Sequence, residues 1–289
     1  MTSLLQCPVC RDPLLLSADG YQCSRMHTFD AARQGYVNFL LAHKKHSKEP
    51  GDSPEMIKSR RRFLDLGLYD RVSDGINEAV AHGLPQQEEG RVFIVLDAGC
   101  GEGFYLKRLK EALARRIAEA FPVDYYGIDI SKYAVRTATQ RDKTMSWFVA
   151  SIVDLPFASA SLDIVLNVFS PPAFAEFSRV LRKSGKLVVA SPGPRHLNGL
   201  REIIYPNARE HAPSAMVEQA KGLFSLAAET RVNYPIELKN KAEIMDLLAM
   251  TPYFWNIDLA TRSKVEALDR LALDVDVNIS VFRRTGEQG

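Results

Sequence analysis

The stretch Val95-Leu96-Asp97-Ala98-Gly99-Cys100-Gly101-Glu102-Gly103 decides the fold. An apolar run from Val92 ends at Leu96, an acid follows, and three glycines then stand at alternate positions before helical spacing begins at Phe104. A strand that stops at a glycine turn and feeds a helix is the opening unit of a nucleotide-binding α/β domain. One glycine permits the tight turn, one admits a ligand to the backbone, and one lets the helix pack close to the strand. The dinucleotide fingerprint, G-x-G-x-x-G, seats a pyrophosphate on the helix N-terminus. Here the spacing is G-x-G-x-G, and Asp97 ends the strand beside the turn. A carboxylate in that place repels phosphate and suits a ligand with a cationic centre.

S-adenosylmethionine is such a ligand, with a sulfonium, an amino acid head, a ribose and an adenine. The Asp97–Gly103 pattern resembles the first motif of the class I methyltransferases. Spacing beyond it predicts strands at Val92–Asp97, Asp124–Ile130, Ser146–Ala150, Ser161–Phe169 and Lys186–Ala190. Helices are predicted at Phe104–Ala120, Lys132–Arg141 and Phe174–Leu181. Alternation of this kind implies a parallel sheet with right-handed crossovers. A strand at Val232–Leu238, a helix at Lys241–Met250 and strands at Ile257–Ala260 and Val275–Arg283 are expected to close the domain with an antiparallel hairpin. The expected fold is α/β and Rossmann-like, with a mostly parallel seven-stranded sheet. Ligands in such sheets bind at the carboxyl ends of strands. Asp97, Asp129, Ser151, Asn167 and the loop Ser191–Leu197 all project there. Asp129, at the end of the second strand, is expected to accept hydrogen bonds from ribose hydroxyls.

The chain has 289 residues, 46% apolar and 25% charged, with a net charge of +2. That composition supports a packed core and does not by itself announce nucleic acid. No apolar run reaches the roughly twenty residues that span a bilayer, and no signal-peptide pattern opens the sequence, so a cytoplasmic, reducing compartment is expected. Three of the four cysteines fall in the first twenty-three residues. Cys7 and Cys10 form one knuckle, Cys23 and His27 the other, and an Asp19-Gly20 turn lies between them. This is the spacing of a tetrahedral Cys3His zinc site, closed and therefore structural. Residues 1–40 are read as a zinc-binding module, 41–90 as a basic linker with helices, and 91–289 as the methyltransferase domain. Asp52 or Ser53 is expected to cap a helix that ends at Gly67, with a second helix at Asp70–Ala81 and a linker at Gly83–Gly90. Between Arg33 and Arg62 there are eight basic residues against three acids, the footprint of a phosphate-backbone binder.

Taken together, several stretches resemble one family, the bacterial 23S ribosomal RNA (guanine-N1)-methyltransferases with an N-terminal zinc module. They are the Cys7, Cys10, Cys23 and His27 set, Gly35-Tyr36-Val37-Asn38, Gly51-Asp52-Ser53, Asp97–Gly103, Pro194-Arg195-His196-Leu197 and Met250-Thr251-Pro252. The resemblance spans nearly the whole chain. It implies a guanine target in a hairpin loop of domain II of 23S rRNA near the peptide exit tunnel, and a homodimer with a basic cleft. It also implies cofactor contacts at Tyr69, Gly101, Glu102 and His196, beside Asp97, Gly99, Gly103, Asp129, Ser151 and Asn167. Asn167-Val168-Phe169-Ser170-Pro171 resembles the macrolide-resistance branch of the family. Ser191–Leu197 and the residues from Tyr205 onward resemble the other branch, so two neighbouring guanines stay open as targets. Class I enzymes often carry an acid after the third strand for the adenine amino group. Ser151 stands there, with Asp154 three residues on.

Guanine N1 lies on the Watson–Crick edge and is blocked in a duplex, so the base must be looped out and stacked. Phe169 is the candidate stacker, with core packing as its alternative, and Asn167 can orient the base. No residue is assigned as the general base. Rival readings are a small-molecule or transfer RNA methyltransferase on the same sheet, or a zinc-bearing RNA-binding protein without catalysis.

Overall fold

A computed structural model of the protein describes residues 3–44, 47, 49–82, 84, 91–117, 122–205, 216–255 and 257–285. Most of the expected Gly83–Gly90 linker, the tail of the expected helix to Ala120, and residues 206–215 lie outside this set. The N-terminal part contributes β1 (Leu14–Leu16), β2 (Gly20–Cys23), β3 (Thr28–Asp30) and β4 (Tyr36–Asn38). Helices α1 (Pro54–Leu64) and α2 (Asp70–Ala81) follow. The alternating region runs β5 (Phe93–Ala98), α3 (Phe104–Ile117), β6 (Val123–Asp129), α4 (Lys132–Arg141), β7 (Ser146–Val149), β8 (Leu162–Val168), α5 (Phe174–Val180) and β9 (Leu181–Pro192). The chain closes with α6 (Asn198–Ile204), α7 (Met216–Ala220), β10 (Phe224–Leu238), α8 (Lys241–Ala249), α9 (Leu259–Glu266) and β11 (Leu271–Arg284).

One sheet of eight strands, in the order β10-β11-β9-β8-β5-β6-β7-β4, organises the molecule. The pairs from β4 across to β9 are parallel, and β9-β11 and β11-β10 are antiparallel. Seven of the expected strands are there, and an eighth is added at the edge. That strand is β4, drawn from the N-terminal part, with Tyr36 opposite Trp147 and Asn38 opposite Val149. Strand β5 is buried along its whole length, as a central parallel strand must be. Its side chains alternate between two cores. Phe93 and Val95 join α1, α2, α3 and α8 on one face, and Ile94 and Leu96 face the other.

The second face is covered in an unusual way. Residues 150–161, between β7 and β8, contain no helix. The N-terminal ribbon lies there instead. Gln6 N–H donates to Pro156 O (3.0 Å), Ala158 N–H donates to Leu4 O (2.9 Å), and Arg11 pairs with Asp154. Leu5, Leu14, Phe29 and Phe39 join Phe148, Leu155 and Phe157 in one apolar cluster. Phe39 packs on Phe148 at 5.0 Å and on Phe29 at 5.2 Å between ring centroids. The ribbon and the large sheet therefore share a core.

Local chemistry explains the element boundaries. Ser53 accepts a hydrogen bond from Met56 N (3.3 Å) and caps α1, with Pro54 in the first turn. The expected strand at Ile257–Ala260 is not formed. The Asp258 carboxylate accepts from Thr261 N (2.6 Å) and starts helix α9 there. The closing hairpin pairs β10 with β11 instead, and α8 and α9 sit between its arms. Among the described residues no helix is long and apolar enough to cross a membrane.

A shared core makes the ribbon's loss costly to its neighbours. Cys23→Ser should release zinc, lower the melting temperature by several degrees, and raise amide exchange in β7 along with the ribbon. Metal analysis, calorimetry and hydrogen exchange check this, and unchanged protection of β7 would show that the two parts are energetically separate.

Candidate functional site

Two clusters of functional side chains lie in different parts of the fold. The first is the Cys3His set. Cys7 and Cys10 sit in a turn closed by Arg11 N–H donating to Cys7 O (2.9 Å), and Cys23 and His27 in one closed by Met26 N–H donating to Cys23 O (3.0 Å). Arg11 and Met26 both take positive φ, at 63° each, which is how two tight knuckles aim their ligands at one point. The four ligand atoms lie within 4.8 Å of one another. Cys10 Sγ and Cys23 Sγ are 3.7 Å apart, and His27 Nδ1 is 3.6 Å from Cys7 Sγ and 3.3 Å from Cys23 Sγ. A tetrahedral zinc with ordinary bond lengths separates sulfur and nitrogen ligands by roughly 3.5–3.8 Å. The donor set and its spacing fit zinc, and four protein ligands leave no open position for catalysis.

The second cluster stands at the carboxyl end of β5. Asp97 is 1% exposed, and neither of its carboxylate oxygens has a hydrogen-bond partner. Burial, and secondarily the charge of Asp129, push its pKa up from 3.8 to about 7. Asn167 is fully buried on the neighbouring strand, one residue past the partner of Asp97 in the register. Its Nδ2 donates to Ala98 O (3.0 Å), and its Oδ1 has no partner. Two adjacent strands thus each carry, at their carboxyl ends, a buried acceptor with nothing donating to it. Buried acceptors left in this way are costly unless a donor meets them.

The glycine turn wraps this end of β5. Gly99 takes φ 90°, and a Cβ there would strike Ser170 Oγ at 2.7 Å, so the turn lies against the loop after β8. Gly103 takes φ 86°, and a Cβ there would meet Trp147 at 2.8 Å. This is the close helix-to-strand packing expected of the last glycine. Gly101 N–H donates to Asp129 Oδ2 (3.0 Å), and Ser131 N–H donates to its Oδ1 (2.8 Å). Each Asp129 oxygen keeps a lone pair for another donor. The Glu102 side chain turns the other way, to Arg141 Nε (2.5 Å), and Arg141 also holds Asp65 (2.9 Å). Burial raises the Glu102 pKa despite that pairing.

An aromatic wall closes the other side. Phe169, at the exit of β8, has φ 51° and is 37% exposed. It stacks on His196 at 5.6 Å and 24°, and meets Tyr69 at 6.2 Å and Tyr105 at 6.3 Å. A bulky residue in the left-handed region is strained, and such strain gathers at functional sites. Asp276 N–H donates to His196 Nδ1 (3.2 Å), which leaves the proton on Nε2, facing the Tyr69 hydroxyl at 3.4 Å. The Asp276 carboxylate in turn accepts from Arg195 N (2.8 Å) and from both Arg231 nitrogens (2.6 and 2.7 Å). The loop carrying His196 is thereby fixed from β10 and β11.

Of the sequence-derived residues, Tyr69, Asp97, Gly99, Gly101, Asn167, Phe169 and His196 converge here, with Asp129 attached through Gly101. Glu102 is turned toward Arg141. Ser151 follows β7, where Ala150 N–H donates to Asp129 O (3.1 Å), and Asp154 is engaged by Arg11. Sequence reasoning missed Tyr105, Arg141 and Arg60. Arg60 lies over the glycine turn and pairs with Asp52 (2.6 Å). Its neighbours in the basic stretch are also committed, Arg61 to Gln140 (3.3 Å) and Arg62 to Asp246 (2.8 Å). Much of the expected basic surface on α1 is therefore spent on internal contacts.

Sheet order, glycine turn and buried carboxylate define a class I S-adenosylmethionine-dependent methyltransferase, here carrying a zinc ribbon. The profile of the RlmA N-terminal zinc ribbon matches residues 5–48, and that of a methyltransferase domain matches residues 96–189. The 23S rRNA (guanine(748)-N(1))-methyltransferase of Streptomyces fradiae is 32% identical over 260 residues, covering 88% of this chain and 86% of that one. YxjB of Bacillus subtilis (strain 168), provisionally named as a 23S rRNA (guanine-N(1)-)-methyltransferase, is 32% identical over 292 residues and 96% of each chain. The chain belongs to the 23S rRNA (guanine-N1)-methyltransferase family.

Asp97 makes the cofactor-free protein pH-sensitive. Between 3.8 and about 7 the folded state holds a proton that the unfolded state has lost, so stability falls as pH rises through that window. The full penalty, present above about pH 7, is on the order of 4 kcal/mol. Asp97→Asn, which cannot ionise, should therefore melt several degrees above the wild type at pH 8 and close to it at pH 4. Thermal melts without cofactor check this, and equal melting at both pH values would refute it.

Proposed function

We propose that the protein transfers a methyl group to N1 of a guanine in a hairpin loop of domain II of 23S rRNA. The observation that carries the reading is the buried, unpartnered pair of acceptors, Asp97 and Asn167, beside the exposed ring of Phe169. The names of the two relatives support the RNA and the atom. The cofactor supplies a methyl group on a sulfonium, already a good leaving group. The protein's work is alignment.

Each residue has a task in that alignment. Asp97 would accept the ammonium of the methionyl group, and Asn167 Oδ1 is a second unpartnered acceptor at the end of the neighbouring strand. Asp129 keeps lone pairs for the ribose, held in place by Gly101 and Ser131. Tyr69 and His196 form the wall behind Phe169. The strained backbone at Phe169 holds its ring outward, where an extruded guanine can stack. His196 carries its proton toward Tyr69, so this tautomer offers no base at Nε2. The guanine N1 proton leaves to a group outside this set. The ribbon and the basic stretch from Arg33 to Arg62 contact the RNA backbone, so affinity falls with salt.

Labelled cofactor with 23S rRNA transcripts, followed by mapping, tests the proposal. A single N1-methylguanosine in the domain II hairpin loop is expected, and preference for a transfer RNA or a small molecule overturns it. Asp97→Ala should abolish cofactor binding in a folded, zinc-loaded protein, as calorimetry reads. Phe169→Ala should lower kcat/KM for RNA by about tenfold to a hundredfold, the worth of one stacked base, with cofactor affinity unchanged.

A further inference from the structure

The acceptors just described account for the cationic parts of the cofactor and leave its carboxylate without a partner. We propose that Arg60 binds the methionyl carboxylate, exchanging it for the Asp52 side chain that holds the guanidinium in the free protein. This inference rests on the cofactor site proposed above and adds a specificity-determining residue to it.

Position is the first argument. Arg60 lies on α1, far in sequence from the glycine turn, yet a Cβ built on Gly101 would lie 3.4 Å from its Nη1 and otherwise meets only its Cδ within 4 Å. Gly101 also joins Asp129 to the turn, so the guanidinium stands at the junction of the ammonium and ribose seats. The neighbouring arginines of α1 point elsewhere, Arg61 to Gln140 and Arg62 to Asp246.

Charge is the second argument. Asp97, Asp129 and Asp52 bear on the cleft, which suits a sulfonium and an ammonium and repels a carboxylate. Arg141 is turned to Glu102 and Asp65 through Nε and Nη1, and its Nη2 is buried without a partner. His196 accepts at Nδ1 from a backbone N–H and turns its ring to Tyr69 and Phe169. Arg60 is the cation that can face the carboxylate from the glycine turn.

Exchangeability is the third. Asp52 and Arg60 are partly exposed, at 30% and 24%, and ion pairs in contact with water are weak. The Asp52 backbone is nevertheless held. Ser131 Oγ donates to Asp52 O (2.7 Å), and Gly51, at φ 83°, presses on Ile130 and Ser131 so closely that a Cβ would lie 2.8 Å from Ser131 Cβ. The Asp52 carboxylate is thus kept near the site as a stand-in anion. Arg60 Nη2 donates to Met250 O (3.4 Å) and steadies the guanidinium, so the Nη1 edge that holds Asp52 can take the cofactor carboxylate in its place without moving the helix.

The test compares S-adenosylmethionine with its decarboxylated form, which keeps the sulfonium, ammonium and adenosine and loses the carboxylate alone. Calorimetry on the full chain reads both affinities. Wild type should favour the intact cofactor by about tenfold to a hundredfold, the worth of a charge-assisted contact. Arg60→Gln should reduce that ratio to near one by weakening the intact cofactor alone. Arg60→Lys should restore part of it, and Asp52→Asn, which removes the competing anion, should hold or raise it. Equal weakening of both ligands in Arg60→Gln, or weakening of neither, overturns the inference. Failure of the wild type to bind either ligand overturns the cofactor site along with it.

Discussion

A carboxylate buried without a donor is the constraint on which the rest of the structure turns. Taking Asp97 out of water at the end of β5 carries a penalty that no neighbour relieves. Asp129 adds to it, and Asn167 contributes another idle acceptor. The chain tolerates this because the place is rigidly enclosed. Val95 and Leu96 are locked between two apolar cores, β8 lies alongside, and the glycine turn is pressed against Ser170 and Trp147. A cation of the right shape removes the penalty. On the proposed reading, affinity and selectivity for a charged methyl donor come from an instability placed in the fold, and a phosphate-bearing nucleotide would aggravate it.

The ribbon has a structural reason to exist. A doubly wound sheet covers both faces with crossover helices. Here the crossover from β7 to β8 lacks one, and the ribbon fills the gap with Leu5, Leu14, Phe29 and Phe39. A segment this small cannot hold its shape by apolar burial alone, and the metal supplies the difference. The closing of a Cys3His site and the packing of the methyltransferase sheet are thereby one folding problem.

What was legible in the sequence was local. The glycine turn, the cap at Asp52 or Ser53, and the cysteine knuckles each state their chemistry within a few residues. Helices at Asp70–Ala81 and Lys132–Arg141 followed from spacing alone. Ile257–Ala260 misled because three apolar residues outweighed the capping signal of Asp258. The first half of β10 was invisible for a related reason, since Ser225 to Thr230 are exposed and show no alternation. At the site, strand-end acids could be placed by counting. Arg60, Tyr105 and Arg141 could not, because they reach it from helices whose packing angles leave no trace in spacing. The basic stretch from Arg33 to Arg62 gave a true composition and an incomplete meaning, because three of its arginines face other parts of the chain.

One consequence lies in β4. This three-residue strand is the sheet's outermost parallel member on that side, and it satisfies backbone groups of β7 that would otherwise be bare. A trimmed enzyme that begins after the ribbon would keep the whole glycine turn and its acids, and would still carry a raw, hydrogen-bonding rim flanked by Trp147 and Phe148. Rims of that sort recruit other copies edge to edge. Catalytic fragments of this protein are therefore prone to clump, and the few residues around Val37 serve as a guard against self-association.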